Sequence, residues 1–456
     1  MAFDKKTIRF YYWLVIEFLK KNLKAIVFSF FLSFLIILFF ISFTPFFYRQ
    51  FFSQKREIIG MVGEYNYDNL PNEILEKISS GLLYIDFRGQ LIPLLINSWE
   101  VGDNGKKYRF HLKNGILWND GKSFSAFDIN YQFKNIKVKI IDERTIDFYL
   151  DQPSAIFPLL LVKPIFRHPL IGVAGLYRVG TIKTKYGKIN EIQLIPNKKD
   201  IPILIYKFYE SETKLITAYK LGEVNRIKIY KKNIAEKFKK WKNTTVEKLV
   251  DYSQLVVLLI NHKNELLKEK EIKHALQMTI DSSLYSDFGE QALGPIPPTS
   301  WAYNDGLKRI LYDQEAAQKI FKKNLRDGHR FTLYTSYDNY SIASLLKDFF
   351  EKVGLSVNIK IFSSQNLKDF DFFLAIFQIP PDPDQYVFWH STQKNAIFFG
   401  YKNVKVDKLL EDGRNTLDIN QRKKIYQEYQ KVMADDPPGL FLYHPYVYII
   451  KKKLVL

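Results

Sequence analysis

Residues 115–123 read GILWNDGKS, which looks like a phosphate-binding loop because a glycine is followed by Gly-Lys-Ser. Such a loop has four residues between its glycines, so that successive backbone N–H groups surround one phosphate. Five residues separate Gly115 from Gly121 here, and Asp120 would stand where the phosphates have to lie. The stretch therefore does not predict nucleotide binding, and its glycines and Trp118 need another explanation.

The composition predicts a folded protein with more than one domain. The chain has 456 residues, of which 47% are hydrophobic and 16% aromatic, so two or three domains with buried cores are expected. The net charge is +19, but the basic residues are scattered, and no compact basic helix indicates nucleic-acid binding. The absence of cysteine from the sequence excludes disulfides, thiol catalysis and a lipidated cysteine.

The N-terminal region predicts one membrane-spanning helix. Residues 25–48 carry no charge, and a helix of that length crosses a hydrocarbon core about 30 Å thick. Residues 1–24 hold more cationic side chains than the residues after the span, which places them in the cytoplasm. We therefore expect a single-pass protein of the cell membrane whose bulk is extracytoplasmic. The alternative is a secretory signal, whose apolar region is normally about 7–15 residues long and ends in small residues.

The hydrophobic patterns that follow indicate an α/β fold. Residues 331–336 are β-like, residues 342–353 have an apolar face at helical spacing, and residues 356–362 are β-like again. This order predicts a βαβ unit with a parallel pair of strands. Asp313 and Asp418 are each placed to cap the start of a further helix.

The opening residues belong to a longer pattern of a tryptophan, a hairpin turn, a Trp-x-Asp-Gly turn and an Ala-x-Asp motif. These are Trp99, Asp103-Asn104-Gly105-Lys106, Trp118-Asn119-Asp120-Gly121 and Ala126-Phe127-Asp128. The pattern resembles the signature of the family 5 extracellular solute-binding proteins, the peptide- and nickel-binding receptors of ABC importers, in which Ala-x-Asp opens a helix. More segments match in the family's order: Gly172-Val173-Ala174-Gly175-Leu176-Tyr177, Leu258-Leu259-Ile260-Asn261, Ile280-Asp281, Tyr312-Asp313-Gln314-Glu315-Ala316-Ala317, Asp382-Pro383-Asp384 and Leu442-Tyr443-His444.

The resemblance implies a fold and a division into domains. The fold is a two-lobed, type II-like periplasmic-binding-protein clamp with an extra peripheral subdomain, preceded by one N-terminal transmembrane helix. Lobe I is then residues 57–78, 170–250 and 440–456, the peripheral subdomain is a trimmed segment of residues 79–169, and lobe II is residues 251–439. Ligand would be enclosed between the lobes when a hinge closes. The glycines of GILWNDGKS become turn residues, and Trp118 becomes part of the core.

The resemblance also implies a function. The chain would be a membrane-anchored, non-enzymatic receptor that captures peptides or a related small solute for the permease and ATPase of an ABC importer, without a cofactor. A surface sensing or adhesion protein with the same fold is an alternative. A hydrolase is a third reading, but it needs a paired acid and base that the sequence does not present. No catalytic residue is predicted, and the spacing of the seven histidines predicts no metal site.

Candidate ligand-binding residues follow from one departure from the family pattern. In the family's dipeptide and oligopeptide receptors, an aspartate a few residues before the Asp-Pro-Asp-like segment holds the ammonium group of the peptide. Ile379 stands at about that position in this chain, so this carboxylate is missing. Two nearby carboxylates could replace it, and three aromatic side chains could line an apolar cleft. These candidates are Asp382, Asp384, Tyr386, Trp389 and Trp301.

Overall fold

The computed structural model describes residues 5–51, 55–325, 329–363 and 370–453. The chain divides into two compact units, Met1–Arg56 with Asp200–Ile203, and Glu57–Lys199 with Leu204–Leu456.

The first unit is dominated by one long helix, α1 (Lys5–Phe51). Within its segment Arg9–Ser42, a stretch of 18 residues has a mean hydropathy of 2.8, and the segment is long and apolar enough to cross a membrane. At about 1.5 Å per residue, its 34 residues extend about 51 Å, which exceeds a hydrocarbon core of about 30 Å. This helix fits the expected N-terminal transmembrane helix, although a signal sequence near an N-terminus also meets this criterion of length and composition.

The second unit mixes helices and strands. Its helices are α2 (Asn72–Ile78), α3 (Glu212–Leu221), α4 (Lys232–Lys239), α5 (Lys270–Met278), α6 (Ser283–Phe288), α7 (Gln314–Asn324), α8 (Tyr340–Lys352), α9 (Tyr386–Trp389), α10 (Lys394–Phe399), α11 (Val404–Asn415) and α12 (Ile419–Asp435). The strands are β1 (Arg56–Val62), β2 (Leu83–Ile85), β3 (Leu91–Pro93), β4 (Ile96–Gly102), β5 (Lys107–Leu112), β6 (Ile136–Asp142), β7 (Thr145–Leu150), β8 (Phe166–Arg167), β9 (Ile171–Gly172), β10 (Tyr177–Lys185), β11 (Lys188–Pro196), β12 (Ile203–Tyr209), β13 (Arg226–Ile229), β14 (Thr244–Val250), β15 (Gln254–Ile260), β16 (Gly289–Gln291), β17 (Arg330–Thr335), β18 (Ser356–Ile361), β19 (Phe372–Gln378) and β20 (Gly439–Lys452).

Most strands join one sheet, which strand β20 divides into two halves. The order is β10-β11-β12-β1-β13-β20-β15-β19-β17-β18, and β14 and β16 also pair with β20. Residues 446–452 of β20 pair with β14, whereas residues 439–443 lie against β15. Pro445, between these runs, pairs with Gly289 of β16. We call β1 and β10–β14 the first half of the sheet, and β15–β19 the second half.

Each half has its own apolar core. In the second half, β15 is buried on both faces, because Val256, Leu258 and Ile260 join one core cluster and the alternate residues join another. A strand that is buried on both faces has a nearly continuous apolar sequence, which is QLVVLLI in β15. The first half packs against α3 and α4 around a separate cluster that includes Tyr219 and Phe238.

A fourth core packs against a separate antiparallel sheet of order β4-β5-β7-β6. Trp118 is buried in it with 2% exposure. The backbone N–H of Trp118 donates to the carbonyl of Lys122 (2.8 Å), and that of Gly121 donates to the carbonyl of Trp118 (2.9 Å). With Gly121 at φ 87°, GILWNDGKS is a structural turn, as the sequence predicted.

The prediction of a helix after the Ala-x-Asp motif is wrong. The structure has only one 3-10 turn there, Ala126–Asp128. The carboxylate of Asp128 accepts a hydrogen bond from the backbone N–H of Ser125 (2.8 Å), and strand β6 begins a few residues later. The motif therefore fixes a turn against the sheet instead of starting a helix.

The local predictions in the second half are confirmed. Strands β17 and β18 are parallel and are connected by α8, so the predicted βαβ unit is present. Asp313 caps α7 by accepting from the backbone N–H of Ala316 (2.9 Å). Asp418 caps α12 by accepting from that of Gln421 (2.8 Å). The residue bounds assigned to the lobes and the peripheral subdomain stay predictions.

Candidate ligand-binding site

A cavity lies where parallel strands from both halves of the sheet end. Strands β1 and β13 are parallel in the first half, as are β17, β18 and β19 in the second. Ligands of open α/β sheets bind outside the carboxyl ends of such strands. A cavity of about 440 Å³ is found there, which suits a small molecule. It is lined by Lys231, Tyr337, Asp338, Tyr340, Ser341 and Ile361.

The wall from the first half carries a positive charge. Lys231 follows β13 and directly precedes α4. Its Nζ lies 2.5 Å from Oε2 of Glu212. The hydrogen bond to Glu212, and to a smaller extent the charge of Asp338, raises the pKa of Lys231. The ammonium group is therefore kept charged, and it has more donors than Glu212 uses.

The wall from the second half offers aromatic rings beside a carboxylate. Strand β17 is followed by a short 3-10 turn, Tyr337–Asn339, which leads into α8. Side chains here point outward. Tyr337, in the turn, is 83% exposed, and Tyr340, the first residue of α8, is 49% exposed. Asp338 is exposed between them, and no hydrogen bond or ion pair to its carboxylate is found within the described residues. This wall can meet a cation and a planar or apolar group.

Two chain segments cross between the halves close to the carboxyl end of β13. The backbone N–H of Asp251 donates to the carbonyl of Pro445 (2.8 Å). The carboxylate of Asp251 accepts from the hydroxyl of Tyr230 (2.8 Å), from Nζ of Lys228 (3.0 Å) and from the hydroxyl of Ser253 (2.5 Å). Burial alone would raise the pKa of Asp251, but these hydrogen bonds and the charge of Lys228 outweigh it and lower the pKa. Asp251 therefore stays ionised and fixes the crossing.

Ile379 lies at the same crossing. Its backbone N–H donates to the carbonyl of Ser253 (2.7 Å), at the end of β19, and its side chain is 9% exposed in an apolar core. That Ile379 stands where the family's peptide receptors carry a carboxylate stays a prediction. Asp251 is near in the fold, but both of its oxygens already accept hydrogen bonds.

The two predicted carboxylates are each bound by an arginine of the protein. Arg422 holds Asp382 through two hydrogen bonds of 2.7 and 2.8 Å, and both side chains are buried. Burial would lower the pKa of Arg422, but the charge of Asp382 outweighs it and raises the pKa. Arg414 donates from Nε to Asp384 (2.9 Å) and lies 4.0 Å above the ring of Tyr386.

The three predicted aromatic residues lie in or beside the core formed on one face of β15 by Leu255, Val257 and Leu259. Trp389 is 4% exposed and donates from Nε1 to the side chain of Gln385 (2.9 Å). Trp301 packs against this core, and its backbone N–H donates to the carbonyl of Arg88 (3.0 Å). The structure thus brings Asp382, Asp384, Tyr386, Trp389 and Trp301 together around one core, while different described residues line the 440 Å³ cavity. A role of these five in ligand binding stays a prediction.

The sequence could have indicated some of the residues that line the cavity, but not all of them. Tyr337 and Asp338 come directly after the first strand of the predicted βαβ unit, where the carboxyl-end rule places ligands. Lys231 gave no such signal, because β13 has only 4 residues and its pattern is too short to identify a strand. Across the described residues, no group of three or more His, Asp or Glu is placed to hold a metal ion.

Comparison with known proteins agrees with this architecture. The sequence model of the bacterial extracellular solute-binding proteins, family 5 Middle, matches residues 90–191 and 195–398. The chain is 24% identical to the oligopeptide-binding protein AppA of Bacillus subtilis, over 85% of this chain and 86% of that protein. The structure is similar to the ABC transporter substrate binding protein CtaP from Listeria monocytogenes, with a TM-score of 0.74, 20% identity and coverage of 88% and 94% of the two chains.

A third similar protein was solved in complex with a ligand. It is NikZ from Campylobacter jejuni in complex with Ni(L-His), with a TM-score of 0.71, 23% identity and coverage of 88% and 94%. At these identities the likeness of the structures shows the fold, whereas the sequence model covers more than half of the chain. The α/β fold with its divided sheet and the match over residues 90–398 lead to one conclusion: the chain belongs to the family 5 bacterial extracellular solute-binding proteins.

Proposed function

We propose that this chain is the extracytoplasmic receptor of an ABC importer and that it captures short peptides, or a related small solute. The observation that carries the proposal is the cavity of about 440 Å³ between the two halves of the sheet, which has a cationic and an anionic side chain on its walls. The similarity to an oligopeptide-binding protein supports peptides as the first ligands to test. The role is binding, because the family model that matches residues 90–191 and 195–398 describes solute-binding proteins.

We further propose that α1 anchors the receptor in the cell membrane, with the rest of the chain outside. The apolar segment Arg9–Ser42 supports this arrangement by its length and composition. Expression of the full chain in a bacterial membrane, followed by alkaline extraction and N-terminal sequencing, tests it. An intact N-terminus that stays with the membrane is expected, whereas a released chain shortened by the helix would show that α1 is a signal sequence.

The binding proposal is tested with the purified full chain in detergent. Mass spectrometry of the small molecules released on denaturation should identify short peptides, and thermal unfolding should shift upward with peptide concentration by mass action. Mixtures of peptides of about two to five residues suit the cavity volume. Peptides recovered after long incubation should be uncut. An empty protein that no peptide stabilises would overturn the peptide assignment, and cleaved products would indicate a hydrolase.

A substitution in the cavity wall tests whether peptides bind in this cavity. Tyr337→Ala should weaken peptide binding several-fold, because an exposed ring on the wall is lost. Tyr186→Ala is the matched control, since Tyr186 is 91% exposed on the turn between β10 and β11. Equal affinities of the two variants would place the binding site elsewhere.

Transport is tested in cells that depend on the imported peptide. Deletion of the receptor should stop uptake, and a permease and ATPase should co-purify with the full chain. A receptor that binds peptide while uptake continues without it would favour the sensing or adhesion role.

A further inference from the structure

We propose that a basic surface at the start of strand β13 binds the headgroups of anionic lipids in the membrane that α1 crosses. We call this surface the basic edge. Its cationic side chains come from the end of α3, the connection between α4 and β14, and the end of the chain at β20: Lys220, Lys240, Lys242, Lys452 and Lys453. The inference rests on the proposed membrane anchor and adds a second contact with the same membrane.

Backbone contacts bring the parts of the basic edge together. The backbone N–H of Lys453 donates to the carbonyl of Asn243 (2.8 Å), which lies between α4 and β14. The backbone N–H of Lys452 donates to the carbonyl of Asn225 (2.8 Å), directly before β13. A methyl carbon on Gly222 would lie 2.9 Å from Nζ of Lys452, so this ammonium group covers the end of α3. The three segments therefore form one surface.

The positive charge of the basic edge is not neutralised inside the protein. Within the described residues, no salt bridge involves the five lysines of this surface. Two carboxylates lie close to it along the chain, and both have other partners: Glu236 pairs with Lys239 (2.6 Å), and Glu223 accepts from the hydroxyl of Tyr209 (3.3 Å). An unpaired cluster of lysines attracts an anionic lipid surface, and each lysine near that surface adds to the attraction.

The basic edge also exposes apolar side chains. Leu221, the last residue of α3, is 71% exposed. Trp241 is 36% exposed, and its ring packs edge-on against the buried ring of Phe238 (5.0 Å between centroids). Lysines at the ends of helices can simply offset the helix dipole, but that role needs neither an exposed leucine nor a strand residue such as Lys452. Lysine, tryptophan and leucine together are typical of a surface that lies at a membrane interface.

The basic edge lies where strand β1 begins. The backbone N–H of Ile58 donates to the side-chain oxygen of Asn225 (2.9 Å), and the backbone N–H of Asn225 donates to the carbonyl of Ile58 (2.9 Å). Ile58 is 7 residues beyond Phe51 (58 − 51), the last residue of α1, and a chain of that length reaches at most about 25 Å. An α1 that crosses a membrane therefore keeps this edge close to the lipid. Such a short tether makes even a weak second contact effective, because the local concentration is high.

The test measures how strongly brominated lipids quench the fluorescence of Trp241 in vesicles that contain the full chain. Trp13→Phe is introduced throughout to remove the tryptophan of α1, and the difference from Trp241→Phe isolates the signal of Trp241. Vesicles of phosphatidylcholine are compared with vesicles in which about a third of the lipid is phosphatidylglycerol. Quenching should be at least about twofold greater in the anionic vesicles, and about 1 M salt should remove most of this difference.

Substitutions assign the effect to the basic edge. Lys240→Gln with Lys242→Gln should weaken binding to the anionic surface roughly fivefold per lysine. Leu221→Ser should also reduce quenching, because an apolar contact with the lipid is lost. The matched control is Lys322→Gln with Lys323→Gln, two exposed lysines in the last turn of α7, which packs in the second half of the sheet. The control should keep the quenching of the parent, and all variants should keep its melting temperature.

The outcomes separate this inference from the proposed anchor. Equal quenching in neutral and anionic vesicles, or the same quenching after Trp241→Phe, would overturn the inference while the anchor stands. If the variant of the basic edge loses binding to inorganic polyphosphate in detergent but lipids never quench Trp241, the surface binds a soluble polyanion and the lipid assignment is wrong. If alkaline extraction removes the full chain from the vesicles, the proposed anchor fails first.

Discussion

Lys232 and Asp287 form an ion pair between the two halves of the sheet, with Nζ 2.6 Å from Oδ1. Lys232 is the first residue of α4, which packs on β14, and Asp287 lies on α6, which packs on β16. The two helices contribute to separate apolar cores. The pair joins the two halves in this relative position, and we expect it to favour this position over a more open one.

We expect Asp287→Asn to weaken peptide binding at low salt and to have little effect at high salt. The side chains are 44% and 56% exposed, so their attraction is screened, and the loss should stay below about threefold. Titrations in about 10 mM and about 1 M salt check this, because the screening length falls from about 30 to about 3 Å. The swapped pair, Lys232→Asp with Asp287→Lys, is the control and should recover binding. An equal loss at both salt concentrations would contradict the electrostatic account.

The buried pair of Asp382 and Arg422 should contribute strongly to stability. Arg422→Met leaves a buried carboxylate without its partner, which should lower the free energy of unfolding by about 3–5 kcal/mol. Denaturant unfolding measures the difference. Arg414→Met is the matched control, since Arg414 is 28% exposed and water can replace it beside Asp384. The double variant Arg422→Met with Asp382→Leu should be more stable than Arg422→Met alone; if it is less stable, the unpaired charge is not the cause.

Two glycines of the family pattern should be required for close packing. A methyl group on Gly175 or Gly172 would clash with the carbonyl oxygen of Ile78, at the end of α2. Backbone cannot move aside as a side chain can, so Gly175→Ala should destabilise the protein by more than about 2 kcal/mol. Gly294→Ala is the control, because its added methyl would meet only Leu307 Cδ1 at 3.7 Å. Equal melting temperatures for the two variants would refute the packing argument.

The sequence predicted what depends on local interactions. The turn at Gly121, the caps Asp313 and Asp418 and the βαβ unit each involve residues that are close along the chain. Their backbone preferences and capping hydrogen bonds act within a few residues, so a short pattern is sufficient. The helix predicted after Ala126 is a local prediction that was wrong, because the chain continues there as a loop that leads to β6.

The cavity depends on contacts that no local pattern contains. Lys231 and Asp338 are 107 residues apart (338 − 231), and the strand order of the sheet brings them to one cavity. The candidates Asp382 and Asp384 came from a local motif, and their arginine partners are 40 and 30 residues further along the chain. The sequence shows a carboxylate in a turn, but only the fold shows which carboxylates are already paired.

The last prediction concerns His262, a buried histidine whose protonation should destabilise the fold. Its Nε2 lies 3.2 Å from the carbonyl oxygen of Pro438, and its ring packs against Tyr401. Burial, and then the charge of Lys273, lowers the pKa of His262 to about 4, against about 6.5 in the unfolded chain. The folded state therefore binds fewer protons between these values. Stability is full above pH 6.5 and falls as the pH drops toward about 4, by roughly 3 kcal/mol in total.

His262→Gln keeps a donor for Pro438 and removes the titrating group, so its unfolding free energy should change less between about pH 7 and pH 5 than that of the parent protein. Some acid sensitivity should remain, because burial also lowers the pKa of His444, in the same direction. His329→Gln, at an exposed histidine before β17, is the control and should keep the parent's dependence. If His262→Gln loses as much stability in acid as the parent, then neutral His262 is not the acid-sensitive group of the second half of the sheet.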